Sequence, residues 1–200
     1  MKKAIILFYL LGLVSISLYS QERFSVNLYV GKSDVRLHSE ENNVLINYYT
    51  PYNSFKAGLI YDLTSSDSGL FYGSGGILFS VNGLRFNMPD GQVWPGTSKS
   101  YRTERYYYID VPVYLNYKFE EWLIFKAGIK GSLNVGTQNI LSGMEAKTFT
   151  FGLSGGATLK INRFTLIGEY SYDLTDALKL SSWFWKYSVF HIGIGYYFSL

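Results

Sequence analysis

Tyr106-Tyr107-Tyr108-Ile109-Asp110-Val111-Pro112-Val113-Tyr114-Leu115-Asn116-Tyr117-Lys118-Phe119 alternates at almost every step. The odd positions, from Tyr107 and Ile109 through Val113 to Phe119, are all apolar or aromatic, whereas the even ones include Asp110, Asn116 and Lys118. Successive side chains of a strand point to opposite faces, so this spacing predicts a strand with one apolar and one mixed polar face. A helix would scatter the same residues around its axis.

The next two segments repeat the pattern. Leu123, Phe125, Ala127, Ile129, Leu133 and Val135 alternate with Lys126, Gly128, Lys130, Ser132, Asn134 and Gly136. Phe149, Phe151, Leu153, Ala157 and Leu159 alternate with Thr148, Thr150, Gly152, Ser154, Gly156, Thr158 and Lys160. Five further period-two segments fall near residues 23–31, 55–63, 70–86, 164–174 and 188–198, which brings the expectation to eight strands. The intervening connections alternate in length. Long ones cover about 32–54, 87–103, 137–147 and 175–187, and short ones cover 64–69, 120–122 and 162–163. Tight turns at one end with long loops at the other is the pattern of outer-membrane barrels, whose long loops face outside.

Composition agrees, with 19 Tyr, 14 Phe, 4 Trp and 20 Gly. Met1-Lys2-Lys3 followed by the apolar run from Ala4 to Ser17 reads as a cleavable secretory signal over residues 1–20, which leaves residues 21–200 as the barrel domain. No later segment is apolar for the roughly 18 residues a helical span requires, so a membrane-embedded form must be a closed barrel. With no cysteine, neither a lipid anchor at the cleavage point nor a disulfide staple is expected. Of 18 basic residues against 15 acidic, Lys2 and Lys3 belong to the leader, so the remainder is nearly neutral and predicts no nucleic-acid partner.

A soluble eight-stranded barrel shows the same loop rhythm, so the chemistry of the two faces has to decide. The polar face is rich in Gly and Ser with scattered charges of both signs, as suits the crowded inside of a narrow barrel. The apolar face places Tyr117, Phe119, Phe125, Phe164, Tyr196 and Phe198 toward the short turns, and Tyr107, Phe149, Phe151, Tyr170 and Tyr172 toward the long loops. Two aromatic belts around an aliphatic middle are what membrane interfaces favour.

Tyr108-Ile-Asp-Val-Pro-Val-Tyr-Leu-Asn-Tyr-Lys-Phe119, Lys126-Ala-Gly-Ile-Lys-Gly131 and the aromatic-ended Gly193-Ile-Gly-Tyr-Tyr-Phe198 resemble the PorT-like outer-membrane β-barrel family. The resemblance spans the strand rhythm of residues 21–200, although the chain continues past Phe198 by Ser199-Leu200. It implies a small barrel in the cell envelope with a role in envelope biogenesis or secretion.

Candidate sites are few. Pro112 removes a ladder hydrogen bond in mid-strand and predicts a bulge there, or a local gap facing lipid. Gly73, Gly75 and Gly76 read as relief of crowding in the wall. Lys56, Asp62, Asp110, Lys118, Lys126, Lys130, Lys160, Glu169 and Asp173 point inward on this pattern, and isolated charges in a narrow lumen require pairing. Simple pairing of the last two strands would set Ser171 opposite His191 with Asp173 diagonal, the ingredients of a hydrolase triad, but no nucleophile-elbow sequence surrounds Ser171. His38 with Asp34, Glu40 and Glu41 reads as solvated surface rather than a metal site. Trp183-Phe184-Trp185 with Tyr187 reads as an aromatic cluster in the last long loop or at its junction with the last strand, either anchoring the outer rim or forming a partner contact.

The expectation is therefore an all-β, eight-stranded antiparallel up-and-down transmembrane β-barrel of the bacterial outer membrane. It has no cofactor, no metal and no catalytic activity, and its partners are outer-membrane lipid and other envelope proteins met through the long outer loops. A barrel-embedded lipid hydrolase using Ser171 and His191, or a narrow small-solute pore, is the alternative.

Overall fold

A computed structural model describes residues 23–39, 49–63, 70–87, 92, 98–139, 144–180 and 183–199. Residues 1–20, read from the sequence as a leader, and the short connection expected at 64–69 lie outside the described residues. The strands are β1 (Arg23–Ser39), β2 (Tyr49–Leu63), β3 (Phe71–Asn87), β4 (Tyr101–Glu120), β5 (Leu123–Gln138), β6 (Met144–Ala146), β7 (Phe149–Ile161), β8 (Phe164–Asp173), β9 (Leu178–Leu180) and β10 (Trp183–Ser199). β10 returns antiparallel to β1 along its whole length, from Arg23↔Ser199 to Ser39↔Trp183. β1, β2, β3, β4, β5, β7, β8 and β10 thus close a ring that leaves no long edge unpaired.

The alternation read from the sequence sets the two faces of the wall. Val26, Leu28 and Val30 of β1, Ile109 to Leu115 at odd positions of β4, and Ile192 and Ile194 of β10 are exposed on the outside. Lys56, Asp110, Lys126, Lys130, Glu169 and Asp173 are buried inside. Apolar outside and charged inside is the reverse of a water-soluble barrel, and it makes this a transmembrane barrel. At the short-turn end the outward rings form a near-continuous belt. Phe71 meets Tyr117 at 5.0 Å between centroids, Phe164 meets Tyr196 at 5.2 Å, and Tyr196 and Phe24 each meet Phe198 at 4.8 Å. The two-residue turn Asn162-Arg163 has Asn162 at φ 55°, a left-handed conformation that asparagine tolerates well.

Strands run much further than the apolar alternation. β1 and β10 have 17 residues each and β4 has 20, so at about 3.3 Å per residue they overreach an apolar band of roughly 25 Å. Much of the predicted loops 32–54 and 175–187 is strand, because main-chain pairing continues without any apolar requirement on side chains. Beyond the band the two faces exchange character: Lys32, Arg85, Arg105 and Lys186 turn outward while Leu84, Tyr106, Trp185 and Tyr187 turn inward. Water, not lipid, surrounds this part of the wall. β7 and β8 are shorter, and above them β9 pairs with β10 and β6 pairs with β9 to carry the wall upward.

Pro112 causes no bulge. It pairs with Lys130 of β5 in regular register, and on its other side the ladder with β3 passes from Gly75↔Val113 to Leu78↔Asp110 without a shift. A ladder that omits pairs while keeping register absorbs the missing N–H, so no extra residue is needed. The irregularities lie instead between Pro51 and Phe55 on β2, and between Tyr107 and Tyr108 and between Lys118 and Glu120 on β4. Of the three strand glycines, Gly76 is the one the wall demands. A Cβ there would lie 2.1 Å from the Leu59 carbonyl oxygen, whereas at Gly73 it would meet only Leu63 at 3.7 Å. Gly128 is equally tight, 2.0 Å from the Val113 oxygen, while a Cβ at outward Gly168 meets nothing within 4 Å. Gly128→Ala is expected to cost about 1–3 kcal/mol as overpacking, and Gly168→Ala to stay within about 0.5 kcal/mol. Urea unfolding in lipid vesicles measures both.

Candidate functional site in the barrel lumen

Eight strands enclose a lumen just wide enough for side chains, so each inward residue must find its partner there. At mid-height the carboxylate of Glu169, from β8, takes hydrogen bonds from the ammonium groups of Lys56 on β2 and Lys126 on β5. It also accepts the Tyr114 hydroxyl at 3.0 Å. The ring of Tyr29 lies 4.4 Å from Lys56 Nζ, and that of Tyr114 lies 4.6 Å from Lys126 Nζ, so both cations also face aromatic π-clouds. Toward the outer end Lys130 pairs with Asp173 at 3.1 Å. Asp110 is buried nearby on the same face of β4. Three buried lysines thus oppose Asp110, Glu169 and Asp173. The expected mutual pairing of inward charges holds for Lys56, Lys126, Lys130, Glu169 and Asp173; Lys118 and Lys160 sit half-buried near the short turns.

Toward the short turns the interior is Ser25, Asn27, Ser74, Asn116 and Thr165 around a space of about 30 Å³. Asn116 donates to Ser74 Oγ at 2.8 Å, and Asn27 donates to Ser25 Oγ at 2.9 Å. That volume holds about one water.

The outer end is apolar. Val35, Leu84, Tyr106, Tyr108, Trp185 and Tyr187 from the wall pack with Met144 of β6 and with Ala177 and Leu178 at β9. Tyr106 donates its hydroxyl to the buried carboxylate of Glu104, and Ala177 N–H donates to the Trp185 carbonyl at 2.8 Å. This core roofs the charged layer.

The sequence-level triad does not assemble. Ser171 pairs with Val189, and His191 pairs with Glu169, two residues from the assumed register. Only the hairpin geometry fixes that offset, because either register keeps the same residues inside. His191 Nε2 instead meets Ser54 Oγ at 2.9 Å, and Ser54 also donates to Asn82 Oδ1 at 2.8 Å. Among the described residues His191 Nδ1 has no hydrogen-bond partner, so none of their carboxylates orients this imidazole as a base. Residue 54 fell in a predicted loop, and nothing local in the sequence marks it as facing His191.

Trp183, Phe184, Trp185 and Tyr187 belong to β10 rather than to a loop. Trp185 and Tyr187 are buried in the outer core, and Phe184 is half-buried beneath Lys179, whose Nζ lies 5.6 Å from its ring. Neither Trp185 nor Tyr187 presents its ring to the outside. His38 lies on β1, and Glu40 and Glu41 fall outside the described residues. Among the described residues no cluster of three metal-ligating side chains occurs.

No protein-family model matches the sequence, and no curated protein matches it. Solved structures share the barrel at low identity. Ail, the attachment invasion locus protein of Yersinia pestis, is 12% identical with a TM-score of 0.42, the match covering 90% of this chain and 100% of that one. The outer membrane protein OprG from Pseudomonas aeruginosa is 11% identical with a TM-score of 0.49, covering 90% and 97%. Neisserial surface protein A is 14% identical with a TM-score of 0.45, covering 88% and 97%.

Proposed function

We propose that this protein is a non-catalytic barrel of the bacterial outer membrane, exported by its leader, that acts as a sealed scaffold for its outer connections in contact with other envelope proteins. The observation that carries this reading is the filled lumen. Among the described residues Lys56, Lys126 and Lys130 are balanced by Asp110, Glu169 and Asp173, the Asn116 layer leaves room for about one water, and the apolar core at the outer end disfavours ions. A conduit would need a continuous polar path, and a hydrolase would need a substrate-accessible nucleophile. With the inside closed, recognition falls to the outer wall and to the long connections expected from the sequence. The resemblance to PorT-like proteins supports a place in envelope biogenesis or secretion.

Reconstitution in planar bilayers, paired with mild crosslinking in the native envelope, tests the reading. The protein is expected to be electrically silent and to copurify with specific envelope proteins. Steady conductance would establish a pore, and crosslinked material holding lipid alone would remove the scaffold role.

A further inference from the structure

A bulge on β2 builds a groove on the outside of the barrel. Between Pro51↔Leu84 and Phe55↔Val81, three residues of β2 face two of β3, so Tyr52 and Asn53 both stand on the outer face. Tyr52 lies across Gly83, where a Cβ would come within 2.4 Å of its ring, and the Arg85 guanidinium sits 5.4 Å from the ring centroid. The resulting concavity has a volume of about 760 Å³.

Strand registers give the groove two levels. Ile192, Val30, Phe55, Val81 and Tyr107 are successive cross-strand partners from β10 to β4 and form an apolar floor at the top of the lipid-facing band. One outward step higher stand Lys32, Asn53 and Arg105. Lys32 Nζ reaches sideways to Asn53 Oδ1 at 2.9 Å, and Arg105 Nη2 reaches to the Tyr52 hydroxyl at 3.3 Å. Three strand steps of about 4.8 Å separate their backbones, and both long side chains lean across that gap. Both are exposed, and among the described residues neither has a carboxylate within ion-pair distance. Asp34, the next outward residue of β1, has Oδ1 2.8 Å from the Val35 N–H, which donates to it.

We propose that this groove binds a lipid of the outer leaflet whose phosphate headgroup is net anionic, its acyl chain on the Val30–Phe55–Val81 floor and its phosphate between Lys32 and Arg105. The level of the cations decides the occupant. They stand where the apolar band ends, which is where lipid phosphates lie. Guanidinium and ammonium groups there match a phosphate in charge and hydrogen bonding. An apolar floor directly beneath selects an anion that carries a hydrocarbon chain. The proposal rests on the barrel spanning the membrane with its long connections outside, and is independent of whether the lumen is sealed.

Native mass spectrometry of the detergent-solubilised barrel, offered equal dioleoyl phosphatidic acid and dioleoyl phosphatidylcholine, reads the preference. Wild type is expected to retain phosphatidic acid, and Lys32→Ser with Arg105→Ser to lose roughly ten- to thirty-fold of that preference. Lys118→Ser, at the short-turn end, should leave it unchanged. Gly83→Ala, which displaces Tyr52 without altering charge, should weaken it. Heat-modifiable gel mobility confirms that each variant folds. Equal retention of the two lipids by wild type would overturn the proposal, as would undiminished preference in a folded double variant. Displacement by glycerol phosphate as effectively as by phosphatidic acid would make this a free-anion site and would also overturn it.

Discussion

Glu169→Leu is expected to destabilise the barrel by about 3–5 kcal/mol, because it strands two buried ammonium groups in one layer of the lumen. Lys56 and Lys126 both end on the Glu169 carboxylate, and all three side chains are buried. Tyr29, Tyr114, Ile60, Leu78 and Ile167 crowd the space around them, and the gap of about 30 Å³ that Lys126 also lines admits about one water, too little to solvate two ammonium groups. The cost lies in leaving charges uncompensated, not in losing a favourable triad. Replacing all three groups by apolar side chains of similar size, as Lys56→Met with Lys126→Met and Glu169→Leu, is therefore expected to recover most of the stability. Urea unfolding in phospholipid vesicles, followed by tryptophan fluorescence, measures both variants. A single variant within about 1 kcal/mol of wild type would mean that the carboxylate does not compensate these lysines.

Val113→Arg is expected to cost about 2–4 kcal/mol, from placing a guanidinium in hydrocarbon near mid-membrane. Val113 lies midway along the apolar face of β4 and is 53% exposed on the outside of the wall. Three residues on, Asn116 faces the lumen, where the sequence alone predicts that an arginine is milder than at Val113 if space allows. The structure removes that space. Asn116 is 4% exposed, is tied to Ser74, and borders a gap of about 30 Å³, far smaller than an arginine side chain. Asn116→Arg is thus also destabilising, by overpacking of about 1–3 kcal/mol. The two are told apart by bilayer thickness: thinner lipids bring the interface nearer Val113 and relieve its variant, but leave the Asn116 variant unchanged. Equal folding of Val113→Arg and wild type in thick bilayers would mean that the wall faces are assigned inside out.

The sequence by itself determined the wall within the membrane. A period of two with apolar residues on one face is a local property of each strand, and lipid outside with packed side chains inside imposes it on every strand alike. That is why Tyr107 to Phe119 sort without error, and why the lower belt from Tyr117 to Phe198 was legible. Beyond the lipid the rule inverts, and local pattern loses its meaning. Trp183, Phe184, Trp185 and Tyr187 alternate aromatic with aromatic or basic, so nothing in that stretch announces a strand whose Trp185 and Tyr187 point inward. Inter-strand offset is likewise silent in a sequence, since a slip of two residues preserves every inward and outward assignment. The tertiary structure alone therefore separated Ser171 from His191, brought Ser54 to His191, and gathered Lys56 and Lys126 onto Glu169. It alone set the β2 bulge beneath Lys32 and Arg105, because a bulge is a mismatch between two strands and belongs to neither of them.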